Sequence, residues 1–406
     1  MPRTVSALPS DAILVHIGPH KTGTTALQSM LERARPAMAE VGVLYPGIHG
    51  AHHDEARSLR QRSAGWTSDN EAYTPDPGVW DALVEQVRAT PGRVVISSEF
   101  FAQSDGEQRA KLVRDLGRER VHIVMAARNP TSIAVSTWQQ VLRQGWNRTL
   151  ENWLDRQFRR DGSDGPQSSF WFWADSASLA QRWAAEVAPD RMNVIVLDET
   201  DRTALPRTFE QLLDLPEGML ANQPAKSNRG LTAPEAELFH KVLDSIEGEY
   251  SWEEYSKVVR AGMLVQLVEG RTPPPDEPRS RMPQWAVEQG QRDAEDIIER
   301  LAALDDMLIG DLAALRRGPS AADPLAPITD VPLDLAADAI VGAMNAGVRQ
   351  MRITQEKLDR AKDRVAKQRE ALQRPSVDDL TAKQLARVLA GRVRRRVLHP
   401  HRNAAR

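Results

Sequence analysis

Four short apolar runs, each closed by turn-forming residues, set the rhythm of the first half of the chain: Ala12 to Ile17, Arg93 to Ser97, Val121 to Ala126 and Val194 to Leu197. Runs this short that stay apolar without alternating predict strands covered on both faces, as in a parallel sheet. After the first run, Thr24, Thr25, Ala26, Leu27, Met30 and Leu31 have helical composition and spacing. After the third, Pro130 suits the first turn of a helix, where its missing N–H costs nothing. Strand, turn and helix in alternation define an α/β fold. A Pro/Ala/Gly-rich stretch, 316–332, then reads as a linker. Beyond it a helix is predicted from about Leu333 to Leu372, with Met344, Met351, Leu358, Val365 and Leu372 spaced by sevens. The partner heptad position holds Val348, Gln355, Lys362 and Arg369, so only half of a coiled-coil seam is apolar.

The first strand leads into Gly18 to Gly23, a turn built to hold an anion. Gly18 and Gly23 permit backbone angles and close approach that other residues resist, so successive N–H groups can face one ligand at the positive end of the following helix. Lys21 adds a full charge, and Thr22, Thr24 and Thr25 add hydroxyls. The glycines sit five apart, as in the triphosphate-binding loop G-x-x-x-x-G-K-[ST], but the lysine precedes Gly23 and is aimed differently.

From Lys21 through Thr25 the segment HKTGTT resembles the P-loop-like motif PK-[ST]-G-T-T of the nucleotide-dependent sulfotransferases, with His20 where proline is commoner. That resemblance implies a three-layer sandwich around a mainly parallel sheet, related to P-loop kinases. It also implies that the loop, with Lys21, Thr22, Gly23, Thr24 and Thr25, holds the 5′-phosphosulfate of 3′-phosphoadenosine 5′-phosphosulfate (PAPS). The segment RVHIVMAARNPTSIAVSTWQQ strengthens it, because Arg128 and Ser136 stand eight apart at the end of the third strand. In the family such a pair grips the 3′-phosphate; Arg supplies a planar fork, and a serine two turns into the helix can share its face. Taken alone, the same residues also describe ordinary helix initiation.

Glu99 falls just past the carboxyl end of the second run, the edge where open α/β sheets collect ligands. An acceptor hydroxyl must lose a proton as it attacks sulfur, and Glu99 is the first candidate base, the resembling carbohydrate sulfotransferases using a glutamate. The alternative is that it caps a helix or pairs with Arg128. His20, inside the cradle, either orients sulfonate oxygens or merely replaces the proline. His52 and His53 follow the first crossover; either can line an acceptor pocket or lie in a surface loop, and adjacent residues of a strand face opposite ways. His49, His52, His53 and Asp54 match no established metal spacing, and no metal is expected.

Three further segments bear on the site. FWFWAD, with Phe170, Trp171, Phe172 and Trp173, suits either an acceptor wall or the core. Lys226, Asn228 and Arg229 resemble a late basic loop that closes on the nucleotide, although Thr232 and Glu235 also form a capping box with Pro234 in the first helical turn. The Pro-rich loop TPPPDEPRSRMP reads as an excursion of the enzyme domain, either a flap or plain surface.

The 406 residues suffice for one large domain with an appendage, placed at 10–315 for the catalytic domain, 316–332 for the linker and 333–406 for a basic helical extension. With no cysteine, disulfides, thiolate catalysis and Cys-based metal sites are excluded. The N-terminus lacks the basic-then-apolar pattern of a leader and no eighteen apolar residues run together, so a cytoplasmic enzyme is expected, and high Arg and Ala content suggests a bacterial source. Residues 341–406 carry 17 Lys and Arg against 6 Asp and Glu; Arg392, Arg394, Arg395 and Arg396 either touch an anionic surface or acidic partner or are simply solvated, and the half seam suits a homo-oligomer, its own domain or a solitary helix; no nucleic-acid motif is present. The expectation is in-line sulfuryl transfer from PAPS to a hydroxyl, with a carbohydrate or glycoconjugate acceptor favoured. An ATP-dependent small-molecule kinase, or a non-catalytic nucleotide-binding scaffold, are the alternatives.

Overall fold

The computed structural model describes residues 5–61, 75–159, 170–220, 229–321, 328–373, 381–387 and 389–390. Its centre is a six-stranded, wholly parallel sheet: β1 (Ile13–His16), β2 (Val43–Leu44), β3 (Arg93–Ser97), β4 (Val121–Ala127), β5 (Met192–Val196) and β6 (Leu308–Ile309), in the order β2-β3-β1-β4-β5-β6. The four apolar runs became the four inner strands. The two edge strands, at two residues each, are too short to leave any period in the sequence.

Alternate residues of each inner strand feed two cores. Ile13, Val15, Val94, Ile96, Ile123 and Met125 face one layer of helices, while Leu14, Val95, Val124 and Ala126 face the other. Against the second face lie the loop helix Thr24–Glu40, through Leu27, Leu31 and Met38, and the helix Ala204–Leu213, through Phe209 and Leu212. The result is a three-layer α/β sandwich with both faces of the sheet covered, which is why its strands carry no polar stripe.

Pairing register positions the site. His16 of β1 lies opposite Ser97 of β3 and opposite Val124 of β4, so Gly18, Glu99 and Arg128 all leave the sheet at its carboxyl edge. Ligands of open α/β sheets gather at that edge, between strands whose connections diverge.

The chain divides into two units, Met1–Ala343 and Met344–Arg406. The boundary falls inside the long helix Leu333–Gln373, beyond the Pro/Ala-rich stretch rather than at it. The physical reason is that the first turns of that helix belong to the first unit: Leu335 and Ala339 are buried in its core, and Asp334 approaches Arg271 at 3.7 Å. In the second unit, Met344, Val348, Met351, Leu358 and Val365 are exposed. Part of the linker, 322–327, and Arg392, Arg394, Arg395 and Arg396 lie outside the described residues. Among the described residues, no helix is long and apolar enough to cross a membrane.

Candidate functional site

The turn after β1 is a concave nest of N–H groups. Gly18, Lys21 and Gly23 all take positive φ, at 85°, 65° and 84°. Thr22 and Thr24 brace the turn from inside, their hydroxyls donating to the carbonyl of Pro19 at 2.6 and 3.2 Å. First-turn N–H groups have no intrahelical partner. No hydrogen bond engages the backbone N–H of Lys21, Thr22, Gly23, Thr24 or Thr25 among the described residues. An anion is the natural acceptor for such a set.

Lys21 is half-buried, with no ion pair to its Nζ among the described residues. Burial and the neighbouring Arg143 guanidinium pull its pKa down to about 8, with Glu99 acting the other way. Arg128, at the end of β4, reaches across and donates to the Lys21 carbonyl at 2.8 Å, tying the second basic element to the first.

Glu99 sits against the same turn. A Cβ placed on Gly18 would lie 2.8 Å from the Glu99 Cβ and 2.9 Å from its Cα, so this glycine serves both the positive φ and the close approach. Gly18→Ala is expected to cost about 1–3 kcal/mol of stability from the backbone strain alone, and to displace Glu99 as well. Chemical denaturation of the variant checks the first effect and its turnover the second.

Around the carboxylate is a shell of polar groups. Gln28, buried on the loop helix, donates to Glu99 Oε2 and to Ser97 Oγ, both at 3.2 Å, and His16 Nδ1 lies 2.8 Å from the same hydroxyl. His53 Nε2 is 3.7 Å and His20 Nδ1 4.0 Å from Glu99 Oε1. Burial raises the Glu99 pKa, but His53, His20 and hydrogen bonds from its own backbone and Gln28 more than offset this, leaving it below the ordinary glutamate value. His20 is held down at about 4, by burial first, with Lys21, His53 and Arg60 adding to the effect and Glu99 opposing it. Its Nε2 is 2.9 Å from Gln103 Nε2, and its ring meets the edges of Phe100 and Trp173 at 5.6 and 5.2 Å.

The paired histidines diverge. His53 turns to Glu99, with Nδ1 3.0 Å from Ser98 Oγ. His52 is buried, its Nδ1 accepting from the Ser97 N–H at 3.1 Å and its Nε2 facing the Pro46 carbonyl at 3.2 Å. It secures the end of β3 as a satisfied core histidine. His49 is exposed and Asp54 pairs with Arg57 at 2.9 Å, so these four residues do not converge.

Two expected contacts differ from what the side chains make. Ser136 Oγ donates within its own helix, to the Ile133 carbonyl at 2.9 Å. It is Ser132, one turn nearer the strand, that joins Arg128 on the Glu199 carboxylate, with Arg128 Nε at 2.9 Å. Burial works to raise the Glu199 pKa, and these two bonds hold it below its ordinary value. Arg229, expected at the nucleotide, forks instead onto Glu235 at 2.6 and 2.7 Å. The reason is that Glu235 caps the helix Ala233–Ile246 from a fully buried position, and a buried carboxylate demands cations. Arg271 supplies a second at 2.9 Å and then binds Glu277 at 2.6 Å, which pins the Pro-rich loop. Lys226 and Asn228 lie outside the described residues. Of the aromatic segment, Phe170 and Trp173 are buried in the core, and Trp173 meets His20.

Gln28, Ser132 and Arg143 were not singled out by the sequence. Ser132 had one available signal, lying four residues after Arg128 in the first turn of its helix. Gln28 and Arg143 occupy helix positions whose residue types equally suit a solvated face.

No protein-family model matches the chain, and no curated protein matches it. Among solved structures it is similar to a crystal structure of a sulfotransferase from Alicyclobacillus acidocaldarius, at 16% identity and a TM-score of 0.41, covering 75% of this chain and 98% of that one.

Proposed function

We propose that this protein is a sulfotransferase that moves the sulfuryl group of PAPS to an acceptor hydroxyl, with a carbohydrate or glycoconjugate acceptor. The observation that carries the reading is the meeting of an anion cradle and a hydrogen-bonded carboxylate at one glycine, Gly18, with Lys21 on the cradle side.

Glu99 accepts the hydroxyl proton as the acceptor oxygen bonds to sulfur. The bond from sulfur to the bridging oxygen breaks in line, and its electron pair departs with the 5′-phosphate of adenosine 3′,5′-bisphosphate. Lys21 and the nest N–H groups meet the charge that arrives on that oxygen, a preorganised electrostatic contribution. Charge logic favours Glu99 over His20 as base. Burial first, with Lys21, His53 and Arg60 adding to it, holds His20 at about 4 by disfavouring the imidazolium, whereas protonating Glu99 removes a charge from a buried place. Thr22 and Thr24 shape the turn.

The preference for PAPS over ATP rests on Lys21 standing before Gly23 and on Arg128, which is braced against the loop. Glu199 rests on Arg128 and Ser132 as an oxyanion would. A 3′-phosphate binding there would displace the Glu199 carboxylate from Arg128, with Ser136 farther along the helix. Calorimetry should show adenosine 3′,5′-bisphosphate binding more tightly than ATP, and Arg128→Ala should remove most of that advantage. Equal or better ATP binding would transfer the site to a kinase.

A further inference from the structure

The sheet places the backbone of Glu99 but not its side chain. The Ser98 N–H donates to the His16 carbonyl at 3.0 Å, which fixes the chain just ahead of the carboxylate. Beyond that point the side chain has several rotatable bonds, and a reacting group has to be held more closely than they allow. Gln28 does the holding. It is buried on the loop helix Thr24–Glu40, one turn after Thr24, and so shares a helical face with a residue that braces the anion nest. Its Nε2 carries two hydrogens and uses both, donating to Glu99 Oε2 and to Ser97 Oγ, each at 3.2 Å. The Ser97 hydroxyl is itself fixed, with His16 Nδ1 at 2.8 Å.

The two carboxylate oxygens are thereby made unequal. Oε2 is engaged by the Gln28 amide. Oε1 has His53 Nε2 at 3.7 Å and His20 Nδ1 at 4.0 Å, both beyond hydrogen-bond length. The titratable groups that sense Glu99 come from every element around it: His53 from the helix His53–Arg60, His20 and Lys21 from the turn, His16 from β1 and Tyr45 after β2. Burial disfavours the charge on Glu99, and the bond from Gln28 is one of the interactions that offset it, after His53, His20 and the Glu99 backbone.

We infer that Gln28 is a positioning residue for the carboxylate: by occupying Oε2 it leaves Oε1 to the acceptor, and it ties the proton acceptor to the same helix whose first turn forms the nest. The inference rests on the proposed reading of Glu99 as base and deepens it. The proton of the acceptor hydroxyl goes to Oε1, and its O–H electron pair stays on the oxygen that bonds to sulfur. Until that moment a donor on Oε2 favours the ionised carboxylate.

NMR on the full-length wild type tests the contact without any variant. The Gln28 side-chain amide protons should shift along the titration of the Glu99 carboxyl carbon, and amide protons indifferent to it overturn the assignment. Gln28→Met, of similar length and without the donor, should raise the Glu99 pKa, and Gln28→Glu should raise it further, since a second carboxylate disfavours the charge. Turnover is read as release of adenosine 3′,5′-bisphosphate from PAPS, with a mixture of methyl glycosides as acceptor. Activity is present above the Glu99 pKa, so the acid limb should move to higher pH in the same order. The kcat plateau of Gln28→Met should fall about tenfold to a hundredfold, the scale for a slightly misplaced reacting group, with adenosine 3′,5′-bisphosphate bound nearly as before. A fall in kcat with the Glu99 titration and the acid limb unmoved makes Gln28 a packing residue and overturns the inference. Glu99→Gln judges the base reading separately: turnover that survives it takes the proton acceptor away from Glu99, while the amide titration still shows whether Gln28 holds the carboxylate.

Discussion

Glu99→Gln is expected to lower kcat by about 10²- to 10⁴-fold, the usual contribution of a positioned general base, while adenosine 3′,5′-bisphosphate binds as before. The amide keeps the shape of the side chain and can still accept from Gln28, so the loss reports the missing proton acceptor rather than a collapsed site. The pH profile gives the sign. Glu99 works ionised, and its pKa lies below the ordinary glutamate value. Activity is therefore present above that pKa and lost as pH falls through it, an acid limb below the usual carboxylate range that the variant should lack. His53 is the nearest competitor, at 3.7 Å from the same oxygen. A deep loss in His53→Gln beside a mild one in Glu99→Gln would hand the base role to that histidine.

Lys21→Ala is expected to cost about 10²- to 10³-fold in kcat, the range for removing one donor that meets developing charge, and to weaken nucleotide binding much less. The nest N–H groups and Arg128 remain to hold the ground state, whereas charge reaches the bridging oxygen only as its bond to sulfur breaks. Losses equal in binding and turnover would overturn that role. Lys21 also sets the basic limb. With its pKa near 8 in the free protein, the ammonium is present below that pH and disappears as pH rises through it. The limb in kcat/KM, which reports free enzyme, should fall near 8, and the limb in kcat should lie higher because a bound anion restabilises the cation.

The inner sheet was legible because strands buried on both faces must be apolar throughout, and Val94 to Ile96 or Val121 to Ala126 leave no other reading. That Lys21, Glu99 and Arg128 gather at one edge of the sheet was legible because each follows the end of an apolar strand. Histidine function was harder. His52 and His53 are neighbours, yet one is core and one faces the carboxylate, and the choice was made by the Ser97 N–H, which no local pattern reveals. Arg229 illustrates the opposite difficulty. Its basic loop suited an anion, but the buried Glu235 six residues on is a competing anion supplied by the chain itself. Gln28 owes its place beside Glu99 wholly to what packs against its helix.

The pairing of His16 with Ser97 fixes more than a sheet. Gly18 and Glu99 each stand two residues beyond that pair, so the span between proton acceptor and anion nest is a matter of counting along two strands. Inserting one residue between Ser97 and Glu99 would move the carboxylate, which opens the 3₁₀ turn Glu99–Gln103 directly after β3, out of its close approach to Gly18. If the proposed reading holds, reach toward larger or smaller acceptors has to come from the surrounding loops, because the ruler between carboxylate and nest is ruled into the backbone.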